Sequence, residues 1–203
     1  MCVLQLSFIL AHCNSDVFTN GIMRNLAHPK KSLMGLYTKR NLEKYNNVMI
    51  KNIVKLCQIQ AHHAVLEVGF GPGLGLQEAF KYLTEPRGRL FGLDVSEYMQ
   101  RVAQKRLGPQ LASGRVHLLQ GSVECIPLPD HCIDGVFHSN CHLYWPDMAT
   151  ATAELTARTC VCHRHTQDAI KSCYKFSDNP KIPWMPFPDC LCLPKGRQRT
   201  KIS

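Results

Sequence analysis

A chain of 203 residues with 45% hydrophobic and 19% charged composition is long enough for one domain with a sizeable core. No apolar run approaches the ~20 residues that cross a bilayer, which speaks against a spanning helix and against a membrane as partner. The formal net charge of +9 is uneven: nine Lys or Arg face three Asp from Thr156 onward, and fifteen basic residues face twelve acidic ones before it. The basic character is therefore mostly the tail's, and it gives little reason to expect nucleic acid as a partner of the core.

Residues 1–33 show no clear periodicity and read as an N-terminal extension. Met1 to Ala11 is apolar but lacks a basic leader and a small-residue cleavage site, so a signal peptide is not expected. The first forty residues carry one acid, Asp16, against Arg24, Lys30, Lys31, Lys39 and Arg40. Cytoplasm is the default compartment, with the mitochondrion as the alternative. Leu36 to Leu56 has the spacing of an amphipathic helix, with Leu42, Tyr45, Met49, Ile53 and Leu56 on one stripe.

Ala64 to Val68 reads as a buried parallel strand with Glu67 near its end. It opens into Gly69, Gly71, Gly73 and Gly75, and then into helical spacing over Leu76 to Leu83. Strand, glycine turn and helix form the first unit of a doubly wound α/β fold, in which ligands sit beyond the carboxyl ends of the strands. The nicotinamide fingerprint G-x-G-x-x-G fails in both registers, because Leu74 or Leu76 stands at its third glycine. A phosphate loop would need G-K-[ST], and no lysine follows. What stands here is E-x-G-x-G-x-G.

After a turn at Glu85-Pro-Arg-Gly, Arg89 to Leu93 reads as the second strand and ends in Asp94, 21 positions after Gly73. That offset suits a carboxylate that meets a ribose hydroxyl pair. The same Asp94 could instead cap the helix that starts at Ser96. Glu97 to Leu107 follows as a helix that Gly108-Pro109 ends. Arg115 to Leu119 is a third strand with His117 on its outer face, and Ile133 to His138 a fourth, opened by a structural Asp134. The eleven cysteines do not suggest a secreted disulfide scaffold, since Cys57, Cys125, Cys132 and Cys141 fall in segments that read as an α/β core.

Four motifs in this order carry a resemblance: the E-x-G-x-G-x-G run from Glu67, the strand-two tip at Asp94, the loop Gln120-Gly-Ser-Val-Glu124, and the stretch from Cys125 through Phe137 to Trp145-Pro-Asp147. Over about residues 25–155 the chain resembles the class I S-adenosylmethionine (SAM) dependent methyltransferases, in the methyltransferase type 11 or ubiquinone-biosynthesis-like group. The resemblance implies a Rossmann-like α/β sheet with SAM as cofactor. It implies that Glu67, Gly69, Gly71 and Gly73 surround the amino-acid part of SAM and that Asp94 holds the ribose. Ser122 and Val123 would meet the adenine, and Ser139, after strand four, would complete the cofactor site. An element at the position of the Leu36 to Leu56 helix covers the cleft in that family. The acceptor would be a small molecule, with Asn140, His142 and Tyr144 nearest to it; no catalytic residue is singled out and no metal is expected.

Past Leu155 the resemblance stops, so the expected sheet is incomplete: strands one to four with flanking helices over 34–155, then an irregular basic Cys/Pro-rich tail over 156–203. An open sheet edge beside strand four would favour self-association. Cys160, Cys162, His163 and His165, with Cys190 and Cys192, lack the ligand spacing of a common zinc knuckle. Two functions are thus expected in order: methyl transfer to a small molecule, or an inactive truncated isoform that binds SAM weakly or a protein partner.

Overall fold

The computed structural model describes residues 26–160. Helix α1 (Leu33–Tyr45) begins at an N-cap, Ser32, whose hydroxyl accepts from the Gly35 N–H at 3.0 Å. Helix α2 (Asn47–Leu56) follows after a single residue, Asn46. The one long helix expected over Leu36 to Leu56 is therefore two. Two successive asparagines explain the break, since their short polar side chains compete with the helical backbone for hydrogen bonds. The buried stripe also differs: Ile50 and Val54 reach the core with Ile53 and Cys57 beside them, while Tyr45 and Leu56 are exposed.

Four parallel strands form one sheet in the order β3-β2-β1-β4. They are β1 (Ala64–Val68), β2 (Arg89–Asp94), β3 (Val116–Gln120) and β4 (Gly135–His138). Both faces of the sheet are covered, which is why β1 and β2 read as almost continuous apolar runs. Alternation assigns the faces. Val65, Leu90, Val116 and Phe137 join Ile50, Val54, Leu76 and Ala103 on one side. Leu66, Val68, Leu93 and Val136 join Ala151 and Leu155 on the other.

Helix α3 (Leu74–Ala79) starts earlier than its apolar spacing suggests, because Gly73, left-handed at φ 81, is its N-cap. It then tightens into three-residue turns: the N–H groups of Lys81, Tyr82 and Leu83 donate to the carbonyls of Glu78, Ala79 and Phe80. Helix α4 (Glu97–Arg106) is capped by Ser96, whose hydroxyl accepts from the Met99 N–H at 3.2 Å. It ends before Gly108-Pro109, as expected, and Pro109 then stands in the first turn of a separate short α5 (Gly108–Ala112), where a missing N–H costs nothing. A 3-10 turn over Cys141–Tyr144 leads to α6 (Met148–Arg158).

Beyond α6, Thr159 bridges Ile133 in parallel. The Ile133 N–H donates to the Arg158 carbonyl at 3.0 Å, and the Cys160 N–H donates to the Ile133 carbonyl at 2.8 Å. The chain thus reaches the outer flank of the β4 segment before residue 160. Among the described residues no cluster of His, Cys, Asp or Glu could hold a metal, and Cys162, His163, His165, Cys190 and Cys192 lie outside them.

Leu76 ties α3 to the sheet and is fully buried. Its replacement by Ala is expected to cost about 2–5 kcal/mol, read as a lowered urea midpoint with an unchanged slope.

Candidate functional site

β1 and β2 run in register, with Val68 opposite Leu93, so both strands end at one edge of the sheet. Past Val68 the backbone turns through Gly69, Gly71 and Gly73, each with positive φ. At Gly69 (φ 66) a Cβ would lie 2.4 Å from the Cβ of Cys141, so both the turn and its neighbour require glycine. The Cys141 thiol donates to the Val68 carbonyl at 3.2 Å, and burial pushes its ionisation far up, which keeps it an inert wall group.

Asp94 joins the two strand ends. Its Oδ2 accepts from the Gly71 N–H at 2.8 Å and its Oδ1 from the Ser96 N–H at 2.8 Å. It thus steadies the start of α4, one of the two roles expected of it, and it also borders a cavity. That cavity, of about 340 Å³, lies beyond the strand ends, and Gly69, Gly71, Asp94, Ser122, Val123 and Ser139 all line it. The volume falls in the range of small-molecule sites. Its remaining walls come from Leu26 to Pro29, from Leu42 and Asn46 on the two N-terminal helices, and from Asn140, Cys141, Tyr144 and Trp145. The Ser96 hydroxyl donates to the Pro29 carbonyl and pins the first of these segments.

Glu67 and Gly73, expected among the binding residues, do not border the cavity. Strand parity is the reason for Glu67. It faces the same side as Val65, beneath α3, whereas Val68 faces the cavity. There its carboxylate accepts from the Leu76 N–H, and its Oε1 would lie 2.1 Å from any Cβ at position 75, so Gly75 is the space this side chain occupies. Its Oε2 has no hydrogen-bond partner among the described residues. Gly73 packs on Ala103 of α4.

The site is electrostatically one-sided. Burial raises the pKa of Asp94, against the pull of the Ser96 and Gly71 N–H groups and of His28. Burial first, and the charge of Asp94 second, hold Glu67 well above the usual carboxylate range. Among the described residues no Lys or Arg lines the cavity. A cation that entered would favour the ionised form of Asp94, as His28 already does from the wall.

Of the three residues placed near an acceptor, Asn140 and Tyr144 border the cavity and His142 does not. The His142 ring packs at 5.1 Å from that of His138, which also lies 5.2 Å from Trp145. Burial lowers both imidazoles, His138 to about 4, so both are neutral near pH 7. Burial also holds the Tyr144 phenol in its protonated form. Ser122 is partly spent on its own loop, where its hydroxyl accepts from the Glu124 N–H at 3.3 Å. Leu26 to Pro29, Cys141 and Trp145 went unnoticed as wall residues. Nothing local marks them, since each reaches the cavity through tertiary packing.

Residues 65–160 match a family model described as a methyltransferase domain. The chain is 38% identical over 92 residues to the uncharacterized methyltransferase YdaC of Bacillus subtilis (strain 168), covering 45% of this chain and 48% of that protein. It is 32% identical over 83 residues to the ubiquinone/menaquinone biosynthesis C-methyltransferase UbiE of Pseudomonas fluorescens (strain Pf0-1), covering 41% of this chain and 32% of that one. The aligned part thus spans under half the length of either relative. A SAM dependent methyltransferase from Aquifex aeolicus has a similar fold, with a TM-score of 0.54 and 23% identity over 61% of this chain and 66% of that one.

A proton held by Glu67 in the folded chain and lost in the unfolded one gives stability that is complete at low pH and fades as pH rises towards the folded-state value. Glu67→Gln keeps an acceptor for the Leu76 N–H and carries no charge. Its Tm advantage over the parent should widen from acidic to neutral pH, reaching at least about 2 °C. A gap that stays constant with pH would contradict this account.

Proposed function

We propose, from the match of residues 65–160 to a methyltransferase domain, that the protein transfers a methyl group from SAM to a small-molecule acceptor. One observation supports this most: the Gly71 N–H bonds to the Asp94 carboxylate, and the glycine bend and the tip of β2 face the same cavity. The walls suit the cofactor in charge and in polarity. Asp94 is the only carboxylate of the walls among the described residues, and the nearest basic side chain is the imidazole of His28. The Ser139 hydroxyl is buried without a hydrogen-bond partner among the described residues, a deficit that a polar ligand would relieve.

In this reading Asp94 holds the ribose hydroxyls with the lone pairs its backbone bonds leave over. Gly69 and Gly71 leave room for the amino-acid part, and Ser122 and Val123 meet the adenine. Glu67 is a positioning residue. It acts through α3 and the bend, which its bond to the Leu76 N–H steadies. Bound SAM supplies a methyl group already activated on sulfonium, so the protein's share is to hold an acceptor in line and keep water out. Leu26 to Pro29 and Leu42 provide the apolar cover. Asn140 and the protonated Tyr144 offer hydrogen bonds to the acceptor. No side chain on the cavity wall is assigned as a base, so an acceptor that arrives deprotonated fits best. The cytoplasm, with the mitochondrion as alternative, is the compartment that accompanies this reading.

Calorimetry with SAM tests it on the 203-residue chain. Asp94→Ala should weaken binding at least about tenfold, as expected for losing a charged hydrogen-bond acceptor, and Gly71→Arg should abolish it. Heats equal to the parent's in both variants would overturn the assignment. A chain that binds SAM yet labels no acceptor from a methyl-labelled pool would leave a binder and not an enzyme.

A further inference from the structure

The two helices that wall the cavity turn a different face to solvent. Along α1 and α2, exposed side chains recur at three- and four-residue steps: Leu33, Tyr37, Arg40, Lys44, Val48 and Lys51. Leu33 is 89% exposed, Val48 72% and Tyr37 53%. Single exposed apolar residues are ordinary, but here they lie along one stripe with cations between them. The charge is not neutralised locally. Glu43 is the only acid between residues 26 and 58. It is already engaged, by Lys39 at 3.4 Å and by Arg106.

A stripe of cations alone would be a solvated helix face. That explains Arg40, Lys44 and Lys51 but not the aliphatic Leu33 and Val48. A nucleic acid would use the cations and stack on Tyr37, and would again leave the aliphatic side chains in water. An anionic lipid surface uses all of them: apolar side chains enter the headgroup region while Lys and Arg meet the phosphates. No helix of the described residues is long and apolar enough to cross a membrane, and adsorption does not need one. We propose that the α1–α2 stripe adsorbs on an anionic phospholipid surface, with Leu33, Tyr37 and Val48 inserted and Arg40, Lys44 and Lys51 on the phosphates. This revises the expectation of no membrane partner, which concerned spanning segments. It does not rest on methyl transfer, since the stripe faces away from Leu42 and the cavity.

The test is sedimentation of the full chain with phosphatidylcholine vesicles, with and without phosphatidylglycerol. The parent should pellet with the anionic vesicles and stay in solution with the neutral ones. The triple variant Leu33→Ser, Tyr37→Ser, Val48→Ser keeps every charge, including those of the basic tail, and should partition at least about tenfold more weakly. Arg40→Glu, Lys44→Glu, Lys51→Glu should lose binding as well. Hydrogen exchange on the unmutated chain provides a reading free of any folding defect: amides of residues 33–56 should gain protection on anionic vesicles. Parent-like pelleting of either variant, unchanged exchange over these residues, or binding to RNA in place of vesicles would overturn the proposal.

Discussion

The Gly71 N–H donating to the Asp94 carboxylate is the bond on which the site depends. It adds a side-chain tie to the backbone one at the same place, where the Gly69 N–H donates to the Leu93 carbonyl at 2.7 Å. The two bonds hold the β1 turn to the β2 tip, and Asp94 also fixes the Ser96 N–H at the start of α4. Three elements therefore meet at one buried side chain. Such an arrangement tolerates little: a charged group that is 8% exposed must have its acceptors used, and here two backbone donors use them.

The same carboxylate gives the cavity its character. Burial raises the pKa of both acids at the strand ends, and the charge of Asp94 adds to the cost of ionising Glu67. At Asp94 the Ser96 and Gly71 N–H groups and His28 offset part of that cost.

Much of this could be read from the chain directly. The run Ala64 to Val68, the four glycines and the carboxylate at position 94 located the sheet edge and the cavity, because strand burial, turn geometry and offset are local properties. Parity within β1 was equally legible and would have placed Glu67 on the α3 side, away from the cavity. What could not be read depended on distant packing. Leu26 to Pro29 lie where the Ser96 hydroxyl holds them, and Cys141 reaches Gly69 only once β4 is beside β1. The stripe from Leu42 to Leu56 assumed one uninterrupted helix, whereas the helix breaks at Asn46 and Ile50 and Val54 are the residues of its second part that are buried. Gly108-Pro109 marked the end of α4 correctly, while the short α5 that follows was not read, because a proline that stops one helix can sit in the first turn of the next.

The contact between Glu67 and Gly75 couples two positions that lie eight residues apart. The carboxylate fills the volume a β-carbon at 75 would need, so any side chain introduced there must displace the Glu67 carboxylate from its buried place beneath α3.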